Sequence, residues 1–149
     1  MAITTGDAIY KRGTQIAVGS TGSAAQLSNG AMDVEAKVTL SSDAPLADMV
    51  LNYRVGVTTG SGAAVHLYRR DINIQSTNST PQPSLNNKST YIGSFQIPTA
   101  ISTGVDYRAI LVGVPITPDC TFYIENDTGQ TLSAGWDLYA TPVTYGASA

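Results

Sequence analysis

Residues 120–145 read CTFYIENDTGQTLSAGWDLYATPVTY, and this stretch decides the fold class. Cys120, Phe122 and Ile124 alternate with Thr121, Tyr123 and Glu125, the two-residue period of a half-buried strand. Asn126-Asp127-Thr128-Gly129 then supplies side chains that bond their own backbone and a glycine free to take positive φ, which predicts a turn. Beyond it, Trp136, Leu138 and Ala140 alternate with Asp137, Tyr139 and Thr141 up to Pro142, a residue confined to strand ends, edges and bulges. Two antiparallel strands alone are marginal in water, so this ribbon requires others.

The rest of the chain supplies them. Met32, Val34, Ala36, Val38 and Leu40 alternate with Asp33, Glu35, Lys37 and Thr39, which predicts a strand with its charges on one face. Ser41 to Pro45 reads as a turn. Val50 to Val57 repeats the pattern, with Leu51, Tyr53, Val55 and Val57 on one side, and Ala63 to Asp71 forms another strand. Asn73 to Ser89, with Pro81 and Pro83, is too long for a tight hairpin and too polar to be buried; such loops are usually functional or mobile. Tyr91 to Ile97 is a strand stopped by Pro98. Tyr107 to Val114 (YRAILVGV) is nearly all apolar and predicts a central strand covered on both sides. Met1 to Gly30 is rich in Gly, Ala, Ser and Thr and reads either as a first strand plus a loop or as an extended arm that orders against a partner. The expectation is an all-β, antiparallel β-sandwich of about eight strands. The long connections suit crossovers between two sheets, so a jelly roll is the favoured form, with residues 31–149 as the domain and 1–30 as an arm or first strand.

Size and charge narrow the function. A chain of 149 residues suits one domain, and 42% hydrophobic residues are enough for a core. Charged residues make up only 13% and the net charge is -3, with scattered basic residues, so no phosphate-neutralising patch for nucleic acid is expected. No basic-then-apolar leader and no run approaching a membrane span is read, which predicts a soluble chain made in a reducing compartment. Cys120 is the only cysteine and reads as a small buried hydrophobe. The triplets at Asn78, Asn87 and Asn126 read as chance products of an Asn/Ser/Thr-rich chain.

No set of reactive residues amounts to an enzyme, and no cofactor or metal is implied. One histidine, His66, cannot build a histidine-cluster metal site, and no nucleophile-elbow glycine pattern accompanies a serine. Glu35 and Glu125, the only glutamates, both sit in alternating strands, where a solvated face explains them. Asp127 lacks the ladder of oxygen ligands of a calcium loop. Arg69-Arg70-Asp71 is the densest charge cluster and suits either an exposed strand end or pairing across an interface. Tyr53, Phe95, Phe122 and Trp136 share a face with aliphatic residues and read as core, whereas Tyr68, Tyr139 and Tyr145 read as exposed contacts.

The motifs FYIENDTG (122–129), Gly135-Trp136 and TPVTY (141–145) together resemble small jelly-roll proteins of tailed bacteriophages, which commonly end in such a ribbon. Val65-His66-Leu67-Tyr68 and YIGSF (91–95) are similar to the inner strands of that family, and the resemblance covers roughly Ala31 to Tyr145. It implies a non-enzymatic decoration or cement protein on the outside of a capsid, assembled in the host cytoplasm. The implied partners are the major capsid protein and neighbouring copies in a dimer or trimer, with neither nucleic acid nor membrane. Expected interface residues are Ile9, Tyr10, Lys11, Arg12, Arg69, Arg70, Asp71, Pro81, Pro83 and Tyr145. The alternative is a carbohydrate-binding module or a receptor-binding tail or fibre domain, with exposed tyrosines as platforms.

Overall fold

A computed structural model describes residues 8–19, 25–33, 38–55, 60–72, 79–99 and 101–147. Among the described residues eight strands form two antiparallel sheets, and the protein is a β-sandwich. The first sheet has the order β1 (Ala8–Arg12), β8 (Asp137–Ala147), β3 (Leu46–Tyr53), β6 (Tyr107–Pro115). A short β2 (Ile16–Ala17) pairs with the edge of β8 that β1 uses, because Ala140 faces Ile16 on one side and Met49 on the other. The second sheet has the order β5 (Tyr91–Gln96), β4 (Ala64–Asp71), β7 (Cys120–Asp127). The far edge of β7 is bridged by Met32 to Glu125 and by Leu40 to Cys120, so residues 31–33 and 38–40 flank it.

Between the sheets lies one core. Met49 and Leu51 of β3 and Leu138 and Ala140 of β8 meet Val65, Leu67, Phe95, Phe122 and Ile124 of the second sheet, all of them at most 1% exposed. Each such large apolar side chain contributes about 1.5–3 kcal/mol on burial. Tyr53, Phe95, Phe122 and Trp136 are all core residues, as their alternation predicts. The turn after β7 also follows the sequence: Gly129 has φ +77°, and Asn126 and Thr128 bond to each other and to nearby backbone.

Three expectations are corrected. β6, expected to be a central strand covered on both faces, is the edge strand of the first sheet, with Arg108, Ile110 and Val112 exposed. β7, expected to be half-buried, is the strand buried on both faces, from Cys120 through Asn126. The alternation from Met32 to Leu40 does not hold: Asp33 is buried and Val38 exposed, while residues 34–37, including Glu35, lie outside the described residues. In each case polarity alone does not say what lies over a face.

The segment expected to be an arm or first strand is paired over residues 8–18. Tyr10 faces Tyr145, and Gly13 and Val18 donate backbone N–H groups to Pro142 and Leu138. β8 runs further than β3, whose last partner on it is Val143, so residues 8–11 and 144–147 project as a two-stranded ribbon.

Candidate functional site

Two features stand out: a polar row on the outer face of the second sheet and a cleft at one end of the sandwich. The row follows from register. His66 faces Ser94 on β5 and Glu125 on β7, and Tyr68 faces Tyr91 and Tyr123. Residues opposite one another in an antiparallel pair share a face, so these side chains form one array. Glu125, only 5% exposed, accepts hydrogen bonds from Tyr68 Oη at 2.6 Å and from Lys88 Nζ at 2.6 Å. Burial pushes its carboxyl up, but Lys88 and Tyr68 outweigh that and hold it below its ordinary value of 4.5. Burial, then the bond to Glu125, pushes the Tyr68 phenol far above 10.0. Tyr68 was expected to be an exposed contact; it is 2% exposed and packs with Met32 and Tyr123.

Ser94 Oγ lies 2.7 Å from His66 Nδ1, and His66 Nε2 lies 3.4 Å from Asp127 Oδ2. This is a serine–histidine–aspartate order, but the last contact is long and the Asp127 side chain is 63% exposed. Ser94 sits mid-ladder opposite His66, and its hydroxyl also meets Tyr91 Oη at 2.8 Å. The array therefore ties β5, β4 and β7 together; an acyl-transfer site also needs donors aimed at a developing oxyanion. Periodicity gives the side of its own strand on which each of His66, Ser94 and Glu125 lies, but only the register brings the three together. Lys88, in the connection before β5, joins them through its bond to Glu125 alone, because a loop residue carries no period.

The cleft has a volume of about 770 Å³ and is lined by Asn52, Tyr53, Arg54, Asp106, Tyr107, Arg108, Ala134, Gly135 and Asp137. Tyr53 and Tyr107 stack at 6.0 Å; Tyr53 is buried, and the half-buried Tyr107 accepts a bond from the Ser102 N–H. Arg54 and Asp106 pair at 2.8 Å on the exposed rim. A smaller hollow of about 350 Å³ adjoins it through Asn52 and Arg108 and reaches Val50, Ile110 and Tyr139.

The expected interface residues fall into two groups at the opposite end. Ile9, Tyr10, Lys11 and Arg12 lie on β1 against Tyr145 and its neighbours on β8, and Tyr145 is 59% exposed. Arg12 pairs with buried Asp48 at 2.9 Å, and Asp48 also accepts from the Gly113 N–H at 3.1 Å. Arg69 pairs with Asp71 at 2.7 Å and donates to the Pro115 carbonyl at 2.8 Å, while Arg70 donates to the Thr80 carbonyl at 3.0 Å. Arg69, Arg70 and Asp71 thus have partners within the chain. Pro81 is exposed beside Thr80, and Pro83 is buried. The groups share an end because Arg12, Val143, Leu46 and Pro115 form one cross-strand row, whose last carbonyl Arg69 holds.

No protein-family model, curated protein or solved structure matches this chain.

Proposed function

We propose that the protein is a non-enzymatic structural protein that binds the outside of a bacteriophage capsid and stabilises it, as its motifs suggest. The supporting observation is where contact-ready surface lies. The β1–β8 ribbon projects past the sandwich with Tyr145 exposed, and a two-stranded ribbon is marginal without further packing. A shell subunit or a neighbouring copy would supply that packing, and binding as an oligomer multiplies weak contacts through effective concentration. A jelly roll is the finer reading of the sandwich. Its support is the order β1-β8-β3-β6 facing a sheet in which the bridging residues Met32 and Leu40, then β7, β4 and β5, are neighbours.

Purified protein mixed with undecorated phage shells should co-sediment in fixed stoichiometry, and Tyr145→Lys should weaken that binding. Protein that ignores shells overturns the proposal. Deleting residues 1–22 is a poor probe, because it would also remove β1 and β2 from the first sheet.

A carbohydrate-binding or receptor-binding role is favoured by one observation, the end cleft, where the half-buried Tyr107 lies beside Asn52, Asp137 and Arg108. It predicts saturable binding on a glycan array, lost in Tyr107→Ala; a flat array removes it.

A further inference from the structure

β6 pairs with β3 along one edge, and among the described residues no strand pairs with the other. Free edges are templates for another chain, and proteins blunt them with lysines, prolines, inward charges, bulges or a covering element. From Tyr107 to Val112 β6 has no lysine, no proline and no inward charge; its bulge, at Gly113 with φ +69°, and Pro115 lie at its end. Its outward side chains include Ile110 at 63% and Val112 at 66% exposure, two of the most exposed large apolar residues. Leu111 points inward against Gly93, yet the described residues leave it only half-buried.

We propose that β6 forms a two-fold dimer interface, in which the β6 strands of two copies pair antiparallel and join the two first sheets into one. The occupant is a second copy because the strand complements itself. With Ile110 opposite its own counterpart, Arg108 falls opposite Val112 and Ala109 opposite Leu111. Residues that face one another then share a side of the sheet, no like charges meet, and Ile110 and Val112 extend one apolar stripe across the axis. This dimer deepens the structural-protein reading by naming one contact between copies; it does not involve the β1–β8 ribbon, on the opposite edge of the sheet.

Light scattering across a concentration series should give twice the 15.5 kDa chain mass. The double variant Ile110→Lys, Val112→Lys should shift to the monomer mass while keeping one cooperative thermal transition, whose midpoint no longer depends on protein concentration, whereas Tyr145→Lys stays dimeric. Mild oxidation of Ile110→Cys should yield a covalent dimer, since facing side chains at the two-fold axis lie within disulfide reach. Tyr145→Cys should not. A monomeric or trimeric wild type overturns the dimer, as does failure of Ile110→Cys to cross-link, whatever becomes of the lysine variant. A monomer that still binds shells removes only the dimer, and a dimer that ignores shells removes only the capsid reading.

Discussion

Asn126 is fully buried, and its carboxamide makes four hydrogen bonds: two to the Leu27 and Gln130 carbonyls and two from the Thr128 amide and hydroxyl. Burial without those partners is costly, so Asn126→Ala should destabilise the fold by about 2–3 kcal/mol, read from urea unfolding. Glu125 gives a pH signature. Its folded carboxyl is held below 4.5 by Lys88 and Tyr68 against the effect of burial, so its contribution is present above 4.5 and disappears as pH falls through the folded value. Unfolding free energies measured on a falling pH series should drop below pH 4.5, and Glu125→Gln should flatten that drop. Cys120 is buried, and that burial pushes its thiol up, so native protein should resist a thiol reagent that labels the unfolded chain.

At the scale of elements, the bulge in β6 joins three strands. The pairing of β3 with β6 shifts between Ala47 and Met49, and Gly113, with φ +69°, presents its N–H to Asp48 of β3, which also holds Arg12 of β1. A Cβ at Gly113 meets nothing within 4 Å, so the cost of Gly113→Ala is conformational alone, about 1–2 kcal/mol. A larger loss in thermal unfolding would mean that the Asp48 clamp breaks too. The exchange of roles between β6 and β7 belongs here as well. β7 alternates because its outer residues are polar, yet Glu125 is covered by bonds to Lys88 and Tyr68, and Tyr123 packs with Met32. β6 is apolar on both faces except for Arg108, yet only its inner face packs on the core.

For the whole molecule, the core joins residues of both sheets, so neither sheet keeps a packed face without the other. Unfolding should therefore be one cooperative transition, with calorimetric and van't Hoff enthalpies equal; two resolved transitions would contradict a shared core. The surfaces open to partners lie on opposite edges of the first sheet, the β1–β8 ribbon on one and β6 on the other. On the proposals made above, one copy meets another through β6 and a shell through the ribbon.

The sequence by itself determined the all-β class, the positions of most strands, the turn at Asn126–Gly129 and the aromatic core, because these depend on local period and on side chains that bond their own backbone. Only the tertiary structure decided which strands are central, that Lys88 reaches Glu125, and that Arg69 closes on Asp71 and Pro115 instead of facing outward. Strand order and register are set by pairings between residues far apart in the chain. A two-residue period gives the polarity of each face but not its neighbour.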